Sequence, residues 1–158
     1  MRKMLLSMQP FWKEKIMSGE KIYEYRNRFP KEEILAYLYV SAPVSGISGI
    51  IYLGNYFLLE DWKVKYARYP DVIETICAYE NRKNRMAMPI LGYQETNTIT
   101  REMWVEKLGK FVVPQSYYYL NDTMELTKYV ESAIEVQGIM KINKFMEDDL
   151  SNLCKKYR

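Results

Sequence analysis

Histidine is absent from the 158 residues, and cysteine occurs only twice, as Cys77 and Cys154. The first absence removes imidazole bases, histidine metal ligands and the familiar serine and cysteine triads. Two thiols are too few for a four-thiolate zinc site, so neither a metal nor a cofactor is expected. Both cysteines lie in apolar, helix-like segments, which favours buried free thiols over a disulfide and a cytoplasmic chain. An excess of one charge sign is also lacking. The net charge of +3 permits an anionic ligand without demanding one. The start, "MRKMLLSMQPFWKEK", has too short an apolar stretch for a secretory signal. One long uncharged run exists, from Ile34 to Leu59, but Pro43, Gly46, Gly49 and Gly54 interrupt it and tyrosines lie along its length. Two buried strands joined by a Pro/Gly turn explain it better than a membrane span.

What is present is an ordinary globular balance, 48% hydrophobic and 27% charged, in a chain suited to one domain. "MLLSMQ" (4–9) reads as a short strand. Pro10 suits the first turn of a helix, "PFWKEKIMS", which Gly19 ends in a left-handed cap. "KIYEYRNRF" alternates and reads as a strand, and the uncharged stretch supplies two more, at about 34–41 and 47–58. From Glu60 to Asn84 the spacing of Val72, Ile73, Ile76, Cys77 and Tyr79 predicts helix, interrupted at Pro70. "MAMPILGYQE" returns to strand. "TREMWVEKLG" is a short helix with Thr100 as N-cap and Gly109 as stop, and "KFVVPQSYYYL" is an edge strand with Pro114.

Asp122 with Glu125 suggests a capping box opening a helix to about Val136. A last helix is expected after Gly138, buried along Ile139, Ile142, Met146, Leu150 and Leu153. This order of elements predicts an α+β chain, a small, mostly antiparallel barrel with short inserted helices and C-terminal helices.

"SGEKIYEYRNRFP" (18–30) carries unusually many ions for a strand. Alternation puts Ile22, Glu24 and Arg26 on one face, with Lys21, Tyr23 and Tyr25 on the other. Composition alone favours an outward-facing ion pair worth little. If Glu24 and Arg26 face inward they are desolvated and must find partners. The same segment resembles the signature of the ASCH domain, a PUA-like family, whose Gly-x-Lys-x-x-Glu-x-Arg motif is matched by Gly19, Lys21, Glu24 and Arg26. "LYVSAP" (38–43), "GISGIIYLG" and "VPQSYYYL" (113–120) resemble the family's later strands in the same order.

The resemblance implies an ASCH/PUA-like domain over 1–121, with a helical insertion at about 60–84 and C-terminal helices at 122–158 packed on it. It also implies a pseudo-barrel with a cleft near Lys21, Glu24, Arg26 and Ser41 that binds RNA or a modified nucleobase. Lys21 and Arg26 would hold phosphate or a carbonyl oxygen, and Glu24 would accept from an exocyclic amine. Trp12, Tyr23, Tyr39 and Tyr118 are candidate stacking platforms, although among 15 tyrosines any one is more often core. Some similar proteins hydrolyse acylated cytidines through a lysine, a threonine and a distant glutamate. Here Glu24 stands at the threonine position, so no catalytic residue is assigned and binding is preferred, while Glu74 and Glu95 remain undistinguished as partners for a hydrolytic alternative. A third reading is an interaction adaptor in transcription control that uses the C-terminal helices.

Overall fold

The structure is a computed structural model and describes residues 1–157. In chain order the elements are β1 (Arg2–Met8), α1 (Pro10–Met17), β2 (Tyr23–Arg26), β3 (Ile34–Val40), β4 (Gly46–Leu53), β5 (Phe57–Leu58) and α2 (Leu59–Lys65). There follow α3 (Pro70–Asn81), β6 (Met86–Thr100), α4 (Arg101–Leu108), β7 (Tyr117–Tyr119), α5 (Glu125–Ala133) and β8 (Val136–Ile142). A single 3-10 turn, Leu150–Asn152, comes last.

The strands form one curled mixed sheet in the order β2-β6-β4-β3-β1-β7. Only β1 and β3 run parallel; the other pairs are antiparallel. The long strand β6 turns the corner, because β2 and β5 flank its first half while β4 and β8 flank its second. This is the α+β, mostly antiparallel half-barrel expected from the order of elements.

Local chemistry explains most boundaries. Pro10 opens α1 where an amide hydrogen would be unpaired anyway, and Gly19 leaves the helix at φ +82°. Thr100 caps α4 by accepting from the Met103 amide, and Gly109 closes it at φ +84°. The uncharged stretch is β3 and β4, which are buried on both faces. That double burial accounts for their lack of alternation. Among the described residues no helix is long and apolar enough to cross a membrane.

The two faces of the sheet make two cores. Met4, Leu6, Met8, Leu38, Val40 and Ile51 pack with Ile16 of α1 on one face. Leu5, Tyr37, Tyr39, Ile47 and Ile50 pack with Trp104 of α4 and Val130 of α5 on the other. A third core joins Tyr25 to Leu59, Trp62, Ile76 and Tyr79 of the insertion and to Leu153 and Cys154. Both cysteines are free thiols, Cys77 half-buried and Cys154 buried.

Three expectations fail. The segment "KFVVPQSYYYL" is strand only at Tyr117–Tyr119; residues 110–116 precede it irregularly, and Pro114 has no amide hydrogen to offer a ladder. The helix after Asp122 has Met124 as N-cap with no side-chain cap bond, and it stops at Ala133. Asp122 pairs with Lys3 at 3.4 Å instead.

The largest correction concerns the expected last helix. Its first residues, to Ile142, belong to β8, which pairs antiparallel with Gly92, Tyr93, Glu95 and Thr96 of β6. Ile139 there is 97% exposed, and Ile142 and Met146 are exposed too; of the expected stripe only Leu150 and Leu153 pack inward, in the third core. Val136, Ile139 and Ile142 are β-branched and suit the edge that β6 provides.

Close approach also constrains β4. A Cβ at Gly46 would lie 2.6 Å from the Ile99 carbonyl oxygen and 3.1 Å from Thr100 Cα. Because those atoms are backbone of the paired strand, Gly46→Ala is expected to destabilise the protein by about 1–3 kcal/mol. The midpoint of urea unfolding measures this, and an unchanged midpoint would show that the β4–β6 pairing relaxes freely.

Candidate functional site

The segment after α1 is short and tightly tied. Lys21 donates its amide to the Lys15 carbonyl at 2.9 Å, and the Ile22 carbonyl accepts from the Ile90 amide at 2.8 Å. The chain then enters β2, where Tyr23 to Arg26 pair with Pro89 to Met86. Alternation holds within the strand. Tyr23 and Tyr25 turn to the insertion, where their rings meet Trp62 at 5.3 Å and Tyr79 at 4.5 Å.

Glu24 and Arg26 face the other way. Lys21 lies before the strand, so alternation does not govern it, and its side chain reaches Glu24 as well as the Tyr25 ring. Lys21 Nζ is 3.7 Å from Glu24 Oε1, and Arg26 Nη2 is 3.6 Å from Glu24 Oε2. Lys21 is only 4% exposed and Glu24 only 7%. The outward-facing pair favoured by composition is therefore replaced by a triad of two cations around one carboxylate, with Lys21 and Glu24 buried and Arg26 half-buried.

Further contacts hold the triad in place. Glu24 Oε1 accepts from the Tyr25 amide at 3.0 Å. Arg26 donates to the Ser7 carbonyl at 2.9 Å and to Ser116 Oγ at 3.1 Å. Burial pushes the Lys21 ammonium below the ordinary lysine value; Glu24 pulls it back up, and Arg26 pushes it down again. The ammonium also lies 4.9 Å from the centre of the Trp12 ring and 5.1 Å from that of Tyr25, within cation–π range.

Of the expected residues, Lys21, Glu24, Arg26 and Trp12 come together. Ser41 lies at the same end of the sheet. Its amide bonds the Met8 carbonyl at 2.9 Å, next to Ser7, and it opens the turn that contains the cis Ala42–Pro43 bond.

Tyr23, Tyr39 and Tyr118 do not face the triad. Tyr23 packs between Trp62 and Phe145. Tyr39 is 4% exposed in the second core against Trp104 and Phe111. Tyr118 joins that core and donates to the Val112 carbonyl at 2.8 Å. Strand parity explains these placements, since the neighbours Leu38 and Val40 are the residues of β3 that point to the first core.

Two participants were not singled out by sequence. Ser116 lies inside the quoted "VPQSYYYL", but nothing in its type ranks it above its neighbours. Tyr157 belongs to the segment expected as helix; it lies with its ring 5.3 Å from Trp12, edge-on, and 5.7 Å from Lys21 Nζ.

Glu95 serves a separate cluster. It is 3.6 Å from Lys13 Nζ and accepts from the Tyr93 hydroxyl at 2.9 Å, while Lys13 also donates to Ser48 Oγ at 2.6 Å. Glu74 is exposed on α3. Among the described residues no group of three His, Cys, Asp or Glu side chains is placed to hold a metal.

Comparison with known proteins places the fold. No family model matches the chain, and no curated relative does. Among solved structures, the ASCH protein from Zymomonas mobilis matches with a TM-score of 0.63 at 22% identity, over 85% of this chain and 96% of its own. A serine-to-alanine variant of that protein matches with a TM-score of 0.64 at 21% identity, over 85% and 97%. A tyrosine-to-phenylalanine variant gives 0.62 at 20%, over 85% and 100%. The likeness spans nearly the whole of those chains, and with the curled sheet described above it establishes that this protein has the ASCH-domain fold.

Proposed function

We propose that this chain is a PUA-like binding module of the ASCH type that recognises RNA or a modified nucleobase with Lys21, Glu24, Arg26 and Trp12. One observation carries the reading: the buried triad at the end of the half-barrel. A buried ammonium and carboxylate with a half-buried guanidinium are poor at stabilising a fold, since apolar residues of similar volume often do as well or better. A buried lysine lowered by desolvation beside such partners is instead a mark of places that meet a ligand. Lys21 and Arg26 supply donors for a phosphate or carbonyl oxygen. Glu24 supplies an acceptor for an exocyclic amine, and Trp12 supplies an aromatic surface. Each Glu24 oxygen is engaged by a cation, an arrangement that holds charge and favours binding over attack on an acyl group.

The test is titration with single-stranded RNA and with nucleoside monophosphates at low and high salt. Lys21→Met keeps the fold and is expected to weaken binding by at least about tenfold, the equivalent of about 1.4 kcal/mol. RNA binding is expected to fall steeply with salt. Undiminished binding by Lys21→Met would move the site elsewhere.

A further inference from the structure

The triad and Trp12 are covered by the segment that follows the 3-10 turn. Tyr25 ties it down from below, donating its hydroxyl to the Asn152 carbonyl at 3.3 Å and accepting from the Cys154 amide at 2.8 Å. The Tyr79 hydroxyl donates to the Lys155 carbonyl, and Lys155 Nζ donates to the Glu20 carbonyl at 3.3 Å. Beyond these ties the chain delivers the Tyr157 ring edge-on to Trp12 and within reach of the Lys21 ammonium.

We infer that residues 153–157 are a strap that closes the ligand site, with the Tyr157 ring held in the slot that a planar aromatic ring of the ligand occupies when the strap opens. This rests on the reading of the Lys21 site as a nucleobase-binding site.

Three features support it. The slot between Trp12 and Lys21 selects a flat π system, because an ammonium attracts the ring face and an aromatic neighbour accepts a ring edge. A nucleobase meets the same two demands, so tyrosine and base compete for one place. The end of the strap, beyond Cys154, is held more lightly than its start. Leu153 and Cys154 are buried, but Lys155 and Tyr157 are half-exposed and Lys156 is exposed. Segments with so few buried apolar contacts open at low cost compared with global unfolding. Finally, Cys154 holds φ +50°, in a region that non-glycine residues adopt with strain. The bend there turns the chain from the third core over the site, and opening the strap relieves it.

The test compares the intact protein with Tyr157→Ala and Tyr157→Phe, using the four common nucleoside 5′-monophosphates and N4-acetylcytidine as probes. Removing the competing ring raises the binding-competent fraction, so Tyr157→Ala is expected to bind its best probe at least about fivefold more tightly. Tyr157→Phe keeps the ring and is expected to match the intact protein. In a Cys77→Ala background, saturating probe is expected to speed modification of the Cys154 thiol, because the strap lifts. Equal affinity of the intact protein and Tyr157→Ala, or a Cys154 rate unmoved by bound probe, would overturn the strap and leave the site standing. Absence of binding by every one of these proteins would overturn the site, and the strap with it.

Discussion

Glu24→Ala is expected to lower the stability of this protein by about 3–5 kcal/mol, the range for removing one member of a buried ion pair. The effect comes from what remains, not from what is lost. Glu24 is the carboxylate that lies between Lys21 and Arg26. Without it the buried Lys21 ammonium stays withdrawn from water beside the half-buried Arg26 guanidinium. Arg26 retains the Ser7 carbonyl and Ser116, but Lys21 retains only the faces of aromatic rings. Lys21→Met should behave oppositely, because it deletes the buried ammonium while Glu24 keeps Arg26 and the Tyr25 amide. Its stability is expected to stay within about 1 kcal/mol of the parent, since a chain of similar volume fills the same place. Urea unfolding at constant m-value measures both. A Glu24→Ala protein as stable as the parent would mean that water reaches the triad, and the argument from desolvated charge would fall. The pair of variants also separates function from folding: Lys21→Met should fold well and bind poorly.

Raising the pH above about 9 should strip stability from the fold progressively. Burial raises Cys154 from its ordinary value of 9.0 to about 12, and Tyr79 from 10.0 to about 12. Burial also raises Tyr25 and Tyr93, the latter helped by its bond to Glu95. Each group keeps its proton in the folded state at a pH where the unfolded chain has released it. The folded state then binds more protons, so the free energy of unfolding falls as pH rises. The stabilisation is complete below the unfolded values near 9 and 10, and it is lost as pH climbs toward the folded values. Each group contributes about 1.4 kcal/mol per pH unit inside its window. Lys21 acts with the opposite sign, because its lowered value lets the unfolded chain bind the extra proton up to 10.5. It is outweighed, since burial also raises Tyr23 and Tyr118 to about 12. With a typical domain stability of about 5–15 kcal/mol, cooperative unfolding is expected between about pH 11 and 12. Tyrosinate absorbance and circular dichroism should change together there. Ionisation of every tyrosine near pH 10, with secondary structure intact, would show that the buried rings are not held as described.

The Lys21 site was legible in part. Gly19, Lys21, Glu24 and Arg26 stood out as a motif, and the resemblance they carry agrees with a fold now matched to the Zymomonas mobilis ASCH structures. The motif places Lys21, Glu24 and Arg26 at one cleft, whereas strand parity alone separates Lys21 from Glu24; parity fails there because Lys21 precedes the strand. The aromatic candidates divided for a related reason. Trp12 lies on a helix that packs over the site, whereas Tyr39 and Tyr118 sit at strand positions whose parity sends them to the far face. Ser116 could not be ranked at all, since its value lies in meeting Arg26 across ninety positions of sequence.

The sequence by itself determined the elements whose ends are written in local chemistry. Pro10 and Gly19 bound α1, Thr100 and Gly109 bound α4, and the Pro and Gly breaks in the uncharged run from Ile34 favour two buried strands over a membrane span. Only the tertiary structure decided residues 134–157. There the periodicity of Ile139, Ile142 and Met146 suits a helix, but the partners that settle the matter are distant. The edge of β6 takes Val136–Ile142 as a strand, and the Tyr25 hydroxyl holds the backbone at Asn152 and Cys154. A helix satisfies its own hydrogen bonds and can be read locally. A strand or a strap takes its conformation from whatever surface is left open to it, and that surface exists only once the rest of the chain has folded.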